Sequence, residues 1–202
     1  VTRRVPPCST YKIYSALNAL EQGIITPEAN TIAWDGAAYP FASWNRDQTL
    51  RSAMQDSVNW YFNALDQSAG SAQMEDFFTK IGYGDCNFGN DSDGFWNGSG
   101  VKISALEQVE LLVKLYRNDF GFRDESIAAV RDAILLNEDG LYGKTGTGRL
   151  DGTNVAGWFI GFAETSNDTY FIAVYLNNQD GADGALAYET ASNILKDMNI
   201  IE

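Results

Sequence analysis

The chain has 202 residues, 45% of them hydrophobic and 20% charged, which is typical of a soluble globular protein with room for the core of one large domain. Its formal net charge of −13 repels phosphate backbones and anionic lipids, which argues against nucleic acids and membrane surfaces as partners. Histidine is absent, so Ser-His-Asp and Cys-His catalysis are excluded, and a zinc or copper site would lack its commonest ligand. Any catalytic base must be Lys, Asp, Glu or Tyr.

The N-terminal half of the sequence predicts helices and two loops. After Pro6-Pro7, apolar residues recur with helical spacing. Turn-forming and aromatic residues between positions 31 and 50 indicate an ordered loop. The Gly-, Asn- and Asp-rich stretch from Gly82 to Gly100 indicates a long loop, and long ordered loops often carry function. The helices predicted in this half cover residues 9–20, 49–65 and 71–81.

The C-terminal half changes from helices to strands. Ser104 and Glu107 have the spacing of a capping box, which predicts a helix that runs to about residue 117. Later segments are rich in Tyr, Phe, Val and Ile, as strands are. We therefore expect an α+β fold, with a helical lobe beside an antiparallel sheet flanked by helices. Strands are predicted over 141–146, 154–164 and 169–176, the last two forming a hairpin, and further helices over 124–137 and 184–198.

Several features bear on the cellular setting of the chain. Cys8 and Cys86 could form a disulfide, act as small buried hydrophobes or be placed by chance, and we expect free thiols. No apolar run approaches the roughly 18 residues that a membrane span needs, and no signal peptide opens the chain. Because the sequence starts abruptly at Val1-Thr2-Arg3-Arg4, we expect a piece of a longer protein.

The segment Ser9-Thr10-Tyr11-Lys12 carries residues suited to nucleophilic chemistry. Positions i and i+3 share a helix face, so Lys12 Nζ is expected within reach of Ser9 Oγ. A dry pocket favours a neutral lysine that can accept the hydroxyl proton, and the helix N-terminus stabilises negative charge there. Taken alone the pattern is common by chance, and a helix-start serine with a solvated lysine explains it equally well.

Two further motifs add polar groups. Ser57-Val58-Asn59 can direct a hydroxyl and an amide at one site if the helix start is irregular, although an ordinary polar face is the simpler interpretation. Lys144-Thr145-Gly146, extended by Thr147-Gly148, resembles a phosphate loop only superficially, because Glu138 replaces a required glycine and a strand is predicted there. On a strand beside a pocket, this segment supplies a positive charge, two hydroxyls and glycines that let a ligand approach the backbone.

Longer segments extend these motifs along the chain. Together and in this order, Ser-x-x-Lys, Ser-x-Asn and Lys-Thr-Gly resemble the serine penicillin-recognising proteins, and within them the class D β-lactamase branch. The resemblance is narrower still to the extracellular sensor domain of BlaR/MecR-type signal transducers. It covers nearly the whole chain, but the family's N-terminal strands and leading helix are absent. The class D segments are 7–12, 83–85, 95–96, 102–104, 142–148 and 157–161, and the sensor segments are 44–48, 57–62 and 106–116.

The resemblance implies a set of site residues. Penicillins would acylate Ser9, with Lys12 as the activating base and the backbone N–H groups of Ser9 and Thr147 as the oxyanion hole. No metal is implied, and the only cofactor-like group would be a CO2-derived carbamate on Lys12. The implied catalytic residues are Ser9, Lys12, Ser57 and Lys144, and the implied substrate-binding residues are Asn59, Thr145, Gly146, Thr147 and Trp96.

Departures from the class D pattern favour a sensor over a hydrolase. The family implies that in class D enzymes a carbamate on the lysine activates water and releases product. Here Asn59 replaces an aliphatic residue and Asn97 replaces a leucine, and polar surroundings should favour loss of CO2. The arginine that usually pairs with the drug's carboxylate is absent from 177–181, so that carboxylate would depend on Lys144, Thr145 and Thr147.

We therefore expect a β-lactam sensor with a long-lived acyl-enzyme, with a class D-like β-lactamase as the alternative and a D,D-peptidase ranked third. This interpretation implies one sensor domain over residues 1–202, truncated at its N-terminus and monomeric, on the extracytoplasmic face of a bacterial membrane. The transmembrane and cytoplasmic metalloprotease segments of the parent transducer lie outside this chain. The loop 82–100 would form a flap, with Trp96 packed against Lys12.

Overall fold

The computed structural model describes residues 1–88, 100–137, 140–177 and 181–202. Within these ranges, six helices precede a three-stranded antiparallel sheet and one helix follows it. Short 3₁₀ turns lie at Cys8–Tyr11 and Ala42–Trp44. The elements are α1 (Lys12–Glu21), α2 (Leu50–Gln55), α3 (Asn59–Ala69), α4 (Ser71–Ile81), α5 (Ala105–Arg117), α6 (Asp124–Ile134), β1 (Leu141–Leu150), β2 (Thr153–Glu164), β3 (Thr169–Asn177) and α7 (Gly184–Asp197).

Helix α1 lies at the centre of the helical part. Every residue from Lys12 to Leu20 is buried, and the helix packs against α3 and α6. A helix that is surrounded on all sides has no solvent face, so even its polar side chains must find partners inside the protein. The N-terminal residues of α1 are therefore held in fixed positions.

The helix predicted over 49–65 is wrong as a single helix. The structure has α2 and α3 instead, separated by a break at residues 56–58. Ser57 has a φ of +54°, a left-handed conformation that an α-helix cannot contain. Apolar periodicity continues across the break because Met54, Val58 and Phe62 are all buried, so the pattern of hydrophobic residues did not reveal it.

The sheet has the order β1-β2-β3, and both pairs are antiparallel. Opposite Gly146 on β1 is Trp158 on β2, a buried residue whose Nε1 donates to the Pro6 carbonyl over 2.9 Å. At Gly157, a side-chain Cβ would lie 2.0 Å from the Asp183 carbonyl oxygen, so only glycine permits this approach of the segment before α7. The sheet thus holds the segment just before Ser9 and the segment just before α7.

The predicted α+β architecture is confirmed. Strand β1 is longer than predicted and reaches Leu150, while α6 ends at Ile134, three residues early. The Ser104–Glu107 capping box is present: Glu107 N donates to Ser104 Oγ over 3.2 Å, and Ser104 N donates to Glu107 Oε2 over 2.9 Å. None of the helices in the described ranges combines the length and apolar character needed to cross a bilayer.

Ser104→Ala should lower the free energy of unfolding by about 1 kcal/mol, because it removes the side-chain cap of α5. Urea denaturation would measure the loss. Ser68→Ala is the matched control, since Ser68 is exposed on α3 and its hydroxyl donates to the Ala64 carbonyl, so its effect should stay within about 0.5 kcal/mol. Equal losses in the two variants would contradict a capping role.

Candidate active site

The turn that carries Ser9 is fixed by its neighbours. Thr10 Oγ1 donates to the Pro7 carbonyl over 2.7 Å and accepts from Gln108 Nε2 over 2.8 Å. Pro7 and Thr10 are buried, whereas Ser9 is half-buried and lines a cavity. Within the described parts of the chain, the Ser9 hydroxyl forms no hydrogen bond, so it is available to a ligand in that cavity.

Lys12 is the first residue of α1 and is completely buried. Its Nζ donates to the Ser57 carbonyl over 2.7 Å, to Ser57 Oγ over 3.1 Å and to Asn59 Oδ1 over 2.6 Å. The Phe62 ring lies below, with its centroid 5.3 Å from Nζ. Three oxygen acceptors match the three N–H groups of an ammonium, so the charged lysine has full hydrogen bonding although it has left water.

Ser57 links the two lysines of the site. Its Oγ lies 3.1 Å from Lys12 Nζ and 3.1 Å from Lys144 Nζ, which also donates to the Thr145 carbonyl over 3.0 Å. The left-handed backbone of Ser57 directs both its carbonyl and its hydroxyl at Lys12. The break between α2 and α3 is therefore the feature that builds this contact.

Burial lowers the pKa of both lysines of the site. Burial lowers the pKa of Lys12 well below its usual range, and the charge of Lys144 lowers it further. Burial alone lowers the pKa of Lys144 to about 7. Two ammonium groups on one serine hydroxyl repel each other, so loss of one proton from the pair is favoured.

Strand β1 forms the opposite wall of the site. A Cβ on Gly146 would lie 3.2 Å from the backbone nitrogen of Ser9, so the strand runs directly against the nucleophile turn. Thr147 Oγ1 accepts from Gly184 N over 3.0 Å, which attaches the start of α7 to the same wall. Thr145 and Thr147 are half-buried and line the cavity.

Polar residues beyond Thr147 close one end of the cavity. Arg149 Nε donates to Asn154 Oδ1 over 2.9 Å, and Asn154 Nδ2 donates to Asp183 Oδ2 over 3.4 Å. Asp183 caps α7 by accepting from Leu186 N over 2.9 Å. The cavity has a volume of about 530 Å³, and its other lining residues are Ser9, Phe41, Ser43, Trp44, Asp56, Ser57, Asn59, Thr145, Gly146 and Ala185.

Most of the predicted site residues gather around this cavity. The exception among the predicted contacts is Lys12 Nζ to Ser9 Oγ, because the hydrogen bonds of Lys12 go to Ser57 and Asn59 instead. Trp96 and Asn97, and with them the predicted flap, lie outside the described residues. The residues brought together are Ser9, Lys12, Ser57, Asn59, Lys144, Thr145, Gly146 and Thr147.

Three residues at the site were not identified from the sequence. Asp66 lies seven residues after Asn59, a spacing that returns to the same face of α3, and this periodicity was the available signal. Arg149 and Asn154 meet through the β1–β2 pairing, which no local pattern predicts. Across the described residues, no three His, Cys, Asp or Glu side chains group closely enough to hold a metal ion.

Cys8 precedes the predicted nucleophile and is buried, with a backbone φ of +50°. Burial raises the pKa of its thiol to about 12. Its Sγ would lie 3.4 Å from a Cβ placed on Gly148, so the sulfur packs against β1. Both Cys8 and Cys86 are free thiols.

The sequence matches the penicillin-binding protein transpeptidase domain over residues 1–196. It is 44% identical over 197 residues to the regulatory protein BlaR1 of Bacillus licheniformis, covering 96% of this chain and 33% of that protein. It is 36% identical over 203 residues to the probable β-lactamase YbxI of Bacillus subtilis, covering 98% of this chain and 73% of that protein. The chain therefore spans about a third of the regulatory relative and about three quarters of the enzyme.

A solved structure agrees with these matches. The C-terminal domain of the Bacillus licheniformis BlaR penicillin-receptor has a TM-score of 0.93 at 43% identity, covering 98% of this chain and 82% of that chain. The family match spans nearly the whole sequence, and the relatives include both regulators and enzymes. The chain belongs to the penicillin-binding protein transpeptidase family, in the branch that contains the sensor domains of BlaR1- and MecR1-type regulators and the class D β-lactamases.

Proposed function

We propose that this chain is the β-lactam sensor domain of a signal transducer. Penicillins and cephalosporins acylate Ser9, and the acyl-enzyme persists long enough to signal induction of resistance. The observation that carries the proposal is the set of oxygen acceptors around Lys12 Nζ, of which Asn59 Oδ1 is the nearest at 2.6 Å. An ammonium held in this way is a poor base for the water that would release the drug.

The acylation step uses the lysine pair and Ser57. Ser9 Oγ bonds to the lactam carbonyl carbon, and the C–N bond of the ring breaks. Lys12 in its neutral form accepts the Ser9 proton and becomes an ammonium, while Ser57 Oγ, within hydrogen-bond distance of both lysines, passes its proton to the ring nitrogen and takes one from the Lys144 ammonium. Burial, reinforced by repulsion from Lys144, makes the neutral form of Lys12 accessible before the reaction.

Backbone and hydroxyl groups of β1 complete the ligand site. The N–H groups of Ser9 and Thr147 form the oxyanion hole, and donors of this kind typically contribute about 3 kcal/mol each to acyl transfer. The close approach of β1 to the Ser9 nitrogen, which would lie 3.2 Å from a Cβ placed on Gly146, supports this pairing. The drug's carboxylate binds Lys144, Thr145 and Thr147, each of which lies on the same strand.

The surroundings of Lys12 do not fit a carbamate. A carbamate needs hydrogen-bond donors for its two oxygen atoms, whereas the Ser57 carbonyl at 2.7 Å can only accept. Asn59 presents its carbonyl oxygen to Nζ, which suits an ammonium. In class D enzymes a carbamate activates the water that releases the product. Our mechanism contains no such base, and the acyl-enzyme therefore persists.

The setting of the domain follows from the proposed role. A drug in the medium must reach Ser9, so the domain lies on the extracytoplasmic face of a bacterial membrane. We expect the domain to be a monomer. Its parent transducer contributes the transmembrane and cytoplasmic metalloprotease segments as partners. The alternative, a class D-like β-lactamase, is supported by the similarity to YbxI, which this chain covers over most of its length.

Ser9→Ala should abolish the covalent adduct with benzylpenicillin, because it removes the attacking oxygen. Intact mass spectrometry over several hours would measure the adduct, with unreacted drug quantified in parallel. Ser166→Ala, an exposed change in the β2–β3 turn, should acylate like the parent protein. A parent protein that depletes the drug without a lasting adduct would support the β-lactamase alternative, and one that does neither would contradict the proposal.

Asn59→Val should shorten the life of the acyl-enzyme by about tenfold or more, because it removes a charge-assisted hydrogen bond from Lys12. Decay of the adduct mass in bicarbonate buffer would measure the change. Asn63→Val is the matched control one turn along α3, since Asn63 Oδ1 has no hydrogen-bond partner among the described residues. If Asn59→Val and the parent protein release the drug at the same rate, Asn59 does not control the second step.

The acylation rate should fall as the pH is lowered through the depressed pKa of Lys12, because only the neutral amine accepts the Ser9 proton. Stopped-flow acylation with a chromogenic cephalosporin across a pH series would define the midpoint. An acylation rate that does not change over this range would exclude Lys12 as the base.

A further inference from the structure

Asp66 is the only buried carboxylate among the described residues, with 5% of its surface exposed. Among the described residues, no Lys or Arg nitrogen lies within 4.0 Å of its carboxylate oxygens. Its oxygens accept from Ser15 Oγ over 2.5 Å and from Tyr11 OH over 3.1 Å. Tyr11 immediately precedes Lys12 and Ser15 follows it by three residues, so the carboxylate is bonded to the segment that carries the base.

Residues on one face of α3 contact Lys12 or its neighbours at the start of α1. Asn59, Phe62 and Asp66 recur with the spacing of a single helix face, and all three approach the start of α1. Asn59 binds Nζ directly, the Phe62 ring lies beneath it, and Asp66 accepts hydrogen bonds from Tyr11 and Ser15. The face therefore combines an amide, an aromatic ring and a carboxylate around one buried cation.

We propose that Asp66 is a positioning residue whose buried carboxylate favours the charged form of Lys12 that binds Asn59, and so prolongs the acyl-enzyme. This inference rests on the proposed function. Burial weakens dielectric screening, so an anion in the same interior stabilises the Lys12 ammonium, whereas Lys144 destabilises it. Burial and Lys144 both lower the pKa of Lys12, and Asp66 acts against them by raising it.

The pH range of this effect follows from the groups that surround the pair. Burial raises the pKa of Asp66 to about 7, while its two hydroxyl donors and Lys12 favour the ionised form. Above that pH the carboxylate is charged and acts on Lys12, and the effect is lost as the pH falls below it. Burial raises the pKa of the Tyr11 hydroxyl well above its usual range, and Asp66 and Tyr83, which follows α4, raise it further. The charged side chains of α2 and α4 are exposed (Arg51, Glu75, Asp76 and Lys80).

The first test needs no drug. Lysine labelled with ¹³C at Cε reports the titration of Lys12 by NMR, with the Lys12 signal assigned from Lys12→Arg. Asp66→Asn should lower the Lys12 midpoint by about one pH unit relative to the parent protein. Asp76→Asn removes one exposed negative charge from α4 and should leave the midpoint unchanged. Coincident curves for Asp66→Asn and the parent protein would overturn the proposal.

The second test measures the reaction. Between the pKa of Asp66 and the Lys12 midpoint, where the carboxylate is ionised, Asp66→Asn should acylate up to about tenfold faster than the parent protein, since one pKa unit corresponds to a tenfold change in neutral lysine. Its adduct should decay faster, while Asp76→Asn should match the parent in both steps. A role limited to stability would lower the unfolding midpoint without moving the pH profile, and that result would also overturn the proposal.

The measurements distinguish failure of the proposed sensor function from failure of the role proposed for Asp66. If the parent protein forms no adduct but Asp66→Asn still shifts the Lys12 titration, the proposed function fails and the electrostatic role of Asp66 stands. If Asp66→Asn does not fold, Ser15→Ala replaces it, since loss of the Ser15 hydroxyl destabilises the ionised carboxylate. A folded Ser15→Ala should lower the Lys12 midpoint by a smaller amount, and an unchanged midpoint would overturn the inference.

Discussion

The ammonium of Lys12 is buried with three oxygen atoms as its hydrogen-bond partners, and the surrounding chain is arranged to supply them. Two of the three come from Ser57 and the third from Asn59. A continuous helix over this region would use the Ser57 carbonyl in its own hydrogen bonds. The chain instead breaks between α2 and α3, with Ser57 in a strained left-handed conformation that costs on the order of 1–3 kcal/mol. The need of one buried cation for hydrogen-bond acceptors thus accounts for the break between α2 and α3.

The same cation takes part in the contact between the helical part of the molecule and the sheet. Ser57 Oγ joins Lys12 in the helical part to Lys144 on the sheet, so the catalytic groups of both halves share one hydroxyl. Gly146 allows β1 to lie against the Ser9 nitrogen, and Thr147 is bonded to the start of α7. Since each of these contacts places a polar group at the cavity, the geometry of the site depends on the docking of the sheet against α1.

The sequence predicted most of the elements, because capping boxes, apolar periodicity and β-branched runs are local signals. It also predicted the eight residues that gather at the cavity, since three short motifs in a fixed order are specific when taken together. It did not predict the break at Ser57, because burial continues through Met54 and Val58 on either side. Nor did it identify Asp66 or Arg149, whose partners are distant in sequence and meet only after the chain has folded.

Cys8 stands beside Ser9, and a thiolate is intrinsically a far better nucleophile than a serine hydroxyl. Its sulfur nevertheless faces β1, away from solvent, and burial holds the thiol in its protonated form. Electrophiles that enter the cavity therefore meet an oxygen and not a sulfur, although the two side chains are adjacent in the chain. Chemoselectivity here is a matter of orientation and access, so thiol-directed reagents applied to the folded protein will modify the half-buried Cys86 in preference to Cys8.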